Sequence, residues 1–307
     1  MNYRPDQAAA IKALRNAAPY IRMYKGKVFI VKVGGGIFQN PQSVRSLMEQ
    51  IAILRQVGMQ VVLVHGGGPQ MDEMQRAMGI EPVMVDGRRV TCSKTRDISI
   101  MVLNGLLNTQ LVSMATEMGM QAVGMAGASG GVIRAKRRGP VTTRTGQTVD
   151  YGEVGDIEAV NVAVLRSLLA ADQMPIISPL CCDSHGNVLN INADTVAAEI
   201  GAALTADKLL LCTGAAGIFA DLSDPSTLVS YTDMAGLERL EAAGAFADGM
   251  MPKASAIKAA LMGGVRRVHV LSFKSTDALL AEVFTNEGLG TLIVADTAAL
   301  SPAEAQA

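Results

Sequence analysis

Tryptophan is absent from this chain, and aromatic residues of every kind make up 4% of it. Its core must therefore be filled by aliphatic side chains and by the 18 methionines, whose unbranched tails adapt to irregular gaps. An excess charge of either sign is also lacking. With 27 Lys and Arg against 28 Asp and Glu, the net charge of -1 leaves no electrostatic case for nucleic acid. The 4 cysteines, Cys92, Cys181, Cys182 and Cys212, show no metal-ligand spacing. Adjacent cysteines rarely pair with each other, so reduced thiols are expected. No stretch is expected to reach membrane-span length, and the N-terminus lacks a signal-peptide layout. A cytoplasmic protein without a membrane partner is the expectation. Low-complexity linkers and short-period repeats are missing as well.

What is present is a chain of 307 residues, 49% hydrophobic, enough for one large α/β domain or two lobes. The apolar run Val28 to Val33 ends in Lys32-Val33-Gly34-Gly35-Gly36. About thirty residues later Val61-Val62-Leu63-Val64 runs into His65-Gly66-Gly67-Gly68-Pro69. Either could be merely a tight βα turn. Two strand-to-glycine turns together, one bearing a lysine, predict a site for anionic groups at the carboxyl edge of a parallel sheet.

Residues 5 to 18 read as a weakly amphipathic helix that stops before Pro19, either a frayed terminus or an oligomer contact. Val44, Leu47, Met48, Ile51, Leu54 and Val57 share one helical face, which makes the first segments a right-handed βαβ unit. Met71, Met74 and Met78 mark the core face of a second helix, and Ile98, Met101, Val102, Leu106, Leu111 and Met114 the apolar positions of a long third one over residues 96 to 118. Arg88 and Arg89 lie in a polar turn suited to a carboxylate, or simply to solvent. Residues 133 to 153 suggest hairpin strands that cover a site. Further strands are expected at 122 to 125, 176 to 179, 208 to 212, 268 to 271 and 291 to 294, and a short helix at 279 to 284. Asn190-Ile191-Asn192-Ala193-Asp194-Thr195 opens a helix and, standing alone, is cap chemistry. Lys253 falls in the first turn of another helix, where the dipole favours an anion; a bound anion between them would explain it.

In this order, Lys32-Val33-Gly34-Gly35, His65-Gly66-Gly67-Gly68-Pro69-Gln70, Arg89-Val90-Thr91, Asn190 to Asp194 and Gly249-Met250-Met251-Pro252-Lys253 resemble the amino acid kinase family over roughly residues 19 to 295. The resemblance implies an open, mainly parallel eight-stranded sheet in a three-layer αβα sandwich. Residues 19 to 185 would form a lobe for the acylamino acid and dimerisation, and residues 186 to 307 a lobe for the nucleotide. It implies transfer of the ATP γ-phosphoryl to the side-chain carboxylate of N-acetyl-L-glutamate, a step of arginine biosynthesis. A carboxylate is already ionised at pH 7, so no general base is needed; the obstacle is repulsion between two anions. Carried over by motif, Lys32 and Lys253 would neutralise the transferring group, with Asp194 orienting both. Gly34 and Gly35 would hold phosphoryl oxygens. Gly66, Gly67, Arg89, Asn190 and Asn192 would hold the substrate. Mg2+ would bridge the ATP phosphates, with no protein metal ligand.

The same resemblance extends to arginine-regulated members. Residues 1 to 18 would interlace dimers into a hexamer, and Tyr20, His269, Glu282 and Gly288 would take L-arginine as effector. Three positions depart from the pattern: Gly214 stands where an aspartate is usual, Gly127-Ala128-Ser129-Gly130 replaces a Gly-Lys-Asp-Gly type loop, and Arg88 replaces a leucine. Pro19-Tyr20-Ile21 and Gly264 to His269 also resemble the kinase-like domain of bacterial N-acetylglutamate synthase. A non-catalytic arginine-sensing protein, and a kinase for another acylated amino acid, therefore stay open.

Overall fold

A computed structural model describes residues 4–143, 146–246, 250–285 and 288–297. Eight strands build its main sheet: β1 (Val28–Val33), β2 (Gln60–His65), β3 (Ala122–Ala126), β4 (Met174–Ser178), β5 (Lys208–Thr213), β6 (Tyr231–Asp233), β7 (Arg267–Ser272) and β8 (Thr291–Val294). Their order is β6-β8-β7-β5-β1-β2-β4-β3, and every pair is parallel except β7 with β8. The apolar runs of β1, β2 and β5 are what a strand buried on both faces requires.

Side-chain alternation splits these strands between two cores. Ile30, Val62, Val64, Leu209, Leu211, Val268 and Val270 face helices α6 (Ala193–Leu204) and α8 (Met251–Met262). Phe29, Val31, Val33, Val61, Leu63, Leu210 and Cys212 face helices α1 (Pro5–Tyr24), α2 (Pro41–Gln56), α4 (Ser93–Glu117) and α9 (Ala278–Phe284). The remaining helices are α3 (Gly68–Ala77), α5 (Ala163–Ala170) and α7 (Met234–Ala242). The result is the expected three-layer αβα sandwich. A second sheet of Val188–Asn190, Leu180–Cys182, Ile133–Arg137 and Gly155–Val160 lies beside it, and the expected hairpin pairs Val141–Thr142 with Thr148–Val149.

Three expectations need correction. The first helix does not stop at Pro19 but continues to Tyr24. Proline removes one donor, and because Pro19 and Arg15 are both exposed, the orphaned Arg15 carbonyl is left to water. Tyr24 is buried and edge-on to Phe29, with centroids 5.2 Å apart, and that packing holds the last turn. Second, α4 is long and apolar enough to cross a membrane. It is instead a helix of the fold: Asn108 on it donates to the Ile176 carbonyl of β4 at 2.9 Å, and Val102, Leu107 and Leu111 are buried. Third, Met78, Met101 and Leu106 do not join the core. Met78 lies past the end of α3, and a π-helical segment over Ile100–Leu107 rotates the face of α4 away from the regular spacing.

Candidate active site

Alternation decides where Lys32 points. It shares a face with Ile30, so the strand directs it toward α6 and α8. Asn192 caps α6, its Oδ1 accepting from the Asp194 and Thr195 amides at 2.7 and 3.3 Å, and so sets Asp194 in the first turn. Lys253 comes from the first turn of α8. Asp194 Oδ1 lies 2.8 Å from Lys32 Nζ and 3.0 Å from Lys253 Nζ, and all three side chains are 9% exposed. Burial alone would push the Asp194 carboxyl up. The two ammoniums outweigh it and hold the group below the usual carboxylate range. Burial, and then the neighbouring Lys32, pull Lys253 down.

The cluster holds two cations and one anion. Leaving a positive charge buried is costly unless a further anion arrives. A cleft of about 320 Å³ opens beside it, lined in part by Gly34, Gly36, Gln39, Thr213 and Gly214.

The glycine turns pack closely enough to exclude side chains. A methyl on Gly35 would lie 2.8 Å from Gly67 Cα and the Gly68 amide, and one on Gly67 would lie 2.5 and 2.6 Å from Leu107 and Leu103. His65 locks the second turn. Its Nδ1–H donates to the Gly66 carbonyl at 3.1 Å, and Nε2 accepts from Asn108 Nδ2 at 3.1 Å. Burial pulls this imidazole down to about 4, which keeps it neutral with both nitrogens engaged. Neither His65 nor Asp194 is free to take a proton.

Several expected substrate contacts are occupied within the fold. The Gly66 amide donates to the Val33 carbonyl at 2.8 Å, so it has no hydrogen to offer a phosphoryl or substrate oxygen. Asn192 Oδ1 is spent on the helix cap. Arg89 donates to Gln75 Oε1 at 2.6 Å and the Gly68 carbonyl at 3.3 Å, and Asp72 Oδ1 lies 2.5 Å from its Nη2. That last contact is an ion pair without an aligned hydrogen bond, since Asp72 Oδ1 has no hydrogen-bond partner among the described residues. Gln70 Oε1 and Thr91 Oγ1 are likewise buried without described partners. Asn190 is half-buried at the end of Val188–Asn190. Asp248 and Gly249, ahead of Lys253, lie outside the described residues.

The proposed effector residues gather elsewhere. His269 Nδ1 donates to Glu282 Oε1 at 2.7 Å, and its Nε2 faces Lys208 Nζ at 3.0 Å. Burial, with Lys208 adding to it, takes His269 down to about 4. Burial, with Arg267 adding to it, takes Lys208 down to about 7. Gly288 has φ +51°, and a methyl there would lie 2.8 to 3.1 Å from the Glu282 carboxyl group. Only glycine fits. Tyr20 packs on the neighbouring core, but it is Tyr24 whose ring lies 5.0 Å from Lys208 Nζ and whose hydroxyl accepts from Arg267 at 3.2 Å. Lys208 and Tyr24 escaped the sequence reading. A lysine opening a strand and a tyrosine beyond a helix-breaking proline carry no local signal of partnership.

The Amino acid kinase family model matches residues 27–272. The acetylglutamate kinase of Myxococcus xanthus is 45% identical over 291 residues, covering 93% of this chain and 94% of that protein. That of Symbiobacterium thermophilum is 43% identical over 291 residues, covering 94% and 99%. Among solved structures, N-acetylglutamate synthase of Neisseria gonorrhoeae with coenzyme A and N-acetyl-glutamate superposes with a TM-score of 0.81 at 26% identity. This alignment takes in 94% of the present chain but 64% of the synthase. The same synthase with coenzyme A and L-arginine gives 0.76 at 25% identity, covering 93% and 65%.

Proposed function

The chain belongs to the amino acid kinase family, and from that premise we propose that it is an acetylglutamate kinase. The observation that carries the reading is the buried Lys32–Asp194–Lys253 cluster with its unmatched positive charge beside two glycine turns. The side-chain carboxylate of N-acetyl-L-glutamate attacks the ATP γ-phosphorus, the bond to the β-phosphate oxygen breaks, and ADP leaves. Lys32 and Lys253 offset the repulsion between nucleophile and phosphate, while Asp194 holds both amines in place. The amides of Gly34 and Gly35 approach the phosphoryl oxygens. Gly67, Asn190 and Arg89 hold the amino-acid end, Arg89 exchanging Asp72 for the substrate α-carboxylate. Gln70 and Thr91 supply the polar atoms still without partners.

ATP enters as its magnesium complex. The residues present do not build a resident metal site: no group of three or more His, Cys, Asp or Glu among the described residues could hold an ion, and Asp194 is engaged by two lysines. No step above runs through a protein-held metal.

Residues 19 to 185 serve as the acylamino-acid lobe and residues 186 to 307 as the nucleotide lobe. Lys208, His269, Glu282 and Gly288 with Tyr20 and Tyr24 form an L-arginine effector site, supported by the arginine complex of the gonococcal synthase. The exposed face of α1, where Leu14 is 67% exposed, joins dimers into a hexamer. Removing residues 1 to 18 should then shift the sedimenting particle from hexamer to dimer. An unchanged particle would rule out the interlaced helix.

The deciding assay traps the acyl phosphate as its hydroxamate, using purified protein, Mg-ATP and N-acetyl-L-glutamate. Product that depends on both substrates is the expected result. No product from folded protein that still binds arginine would instead favour a sensing role.

A further inference from the structure

The cleft carries a third amine that no carboxylate of the described residues meets. Lys274 follows β7, is exposed, and turns into the cleft after its backbone N–H donates to Ser272 Oγ at 3.1 Å. It lines the same cavity as Lys32 and Lys253. Lys32 and Lys253 share Asp194; among the described residues Lys274 has no such partner.

Position 214 explains its freedom. A methyl built on Gly214 would stand 3.8 Å from Lys274 Cε and from Phe273 Cζ, and 3.9 Å from Lys274 Nζ. Those are ordinary contacts, so a side chain can start from this position without displacing its neighbours. The nearest cation to it would be Lys274, not Lys32 or Lys253. An acid at 214 would therefore neutralise Lys274. Glycine leaves that amine available to an anion, on a flexible stem that can follow a ligand into the cleft.

We propose that Lys274 is a third polyphosphate-binding cation, which contacts the nucleotide phosphates from the wall formed by Gly214 and Phe273 and stays available because position 214 lacks an acid. This rests on the kinase reading for its ligand. Among the described residues three amines stand against one carboxylate, and that balances a polyphosphate better than the two-lysine cluster could alone.

Gly214→Asp separates two roles for an acid at this place. If such an acid chiefly ordered Lys32 and Lys253, adding it would raise turnover. If Lys274 binds phosphate, adding it would lower nucleotide affinity.

The test compares the full chain with Lys274→Met, Lys274→Arg, Gly214→Asp and the double variant Gly214→Asp/Lys274→Met. Affinity for Mg-AMP-PNP is measured by calorimetry, and KM for ATP by the hydroxamate assay. Loss of one charge-assisted contact should weaken AMP-PNP binding roughly 10-fold in Lys274→Met. Gly214→Asp should weaken it comparably, the double variant should fall further than either because its carboxylate then faces the phosphates without an amine to pair with, and Lys274→Arg should restore most of the affinity. KM for N-acetyl-L-glutamate should not move. AMP-PNP affinity within twofold of wild type in Lys274→Met, or raised in Gly214→Asp, overturns the proposal. Lys274-dependent AMP-PNP binding without acyl phosphate formation would sink the kinase reading and leave this inference standing. A wild-type chain that binds no AMP-PNP would sink both.

Discussion

Two lysine-and-acid clusters occupy one sheet, on opposite faces and at opposite ends. Lys32 lies near the carboxyl end of β1 and faces α6 and α8. Lys208 opens β5 beside Phe29, three residues or about 10 Å back along the strands, and faces α1 and α9. In the first cluster a carboxylate touches both amines directly. In the second, His269 stands between Lys208 and Glu282, so the amine meets an imidazole instead of an acid. Both sites are buried, and the reach of the acid makes the difference. Direct pairing holds charge at the carboxyl end, whereas burial without it drives Lys208 and His269 toward their neutral forms. One end keeps two amines against one carboxylate. The other can gain or lose charge near neutral pH.

The largest expected effect strikes the charged end. Lys253→Met should lower acyl phosphate formation on the order of 10²- to 10³-fold with an unchanged circular dichroism spectrum. Near-normal turnover would remove that lysine from the chemistry and dissolve the contrast. Next in size is Glu282→Ala, which strands the His269 Nδ1–H and the Leu289 amide that the carboxylate accepts at 2.7 and 2.9 Å. Urea melts should show a loss of about 2–3 kcal/mol, with arginine binding gone and turnover at saturating substrate retained. Intact arginine binding by calorimetry would place the effector elsewhere.

The smallest effect sharpens the comparison through pH. Unfolded, Lys208 keeps its proton up to its ordinary value of 10.5; folded, it releases the proton near 7. Above pH 7 the unfolded chain holds a proton that the folded one lacks, so raising the pH toward 10.5 favours folding. For one group the gain is at most about 1.4 kcal/mol per pH unit, and it vanishes below 7 where both states are protonated. Urea melts at pH 7 and 9 should show this rise in the wild type and not in Lys208→Met. Equal rises in both would mean that Lys208 stays charged when folded.

Much of the fold was legible because its signals are local. Apolar runs of strand length, the helical spacing of Val44 to Leu54 and the glycines that end β1 and β2 each follow from the chemistry of a few neighbouring residues. Local reasoning misled where packing overrode it: Tyr24 carries α1 through Pro19, and polar anchoring places the membrane-length α4 inside the fold. The family resemblance named the site residues and set Asp194 between Lys32 and Lys253, but the present partners of Gly66, Asn192 and Arg89 were not legible. Gly66 gives its amide to Val33, Asn192 gives its oxygen to a helix, and Arg89 is held by Asp72.

By itself, then, the order of residues determined the strands, the glycine turns and the residue types at the carboxyl edge, because period, backbone freedom and capping are short-range. Only the tertiary structure decided how deeply these groups are buried and which uncalled partners, such as Lys208 for His269, they meet. Lys32, Asp194 and Lys253 come from three separate segments, as do Tyr24, Lys208 and Glu282, and charge at such sites depends on distances and burial that exist only once the sheet is assembled.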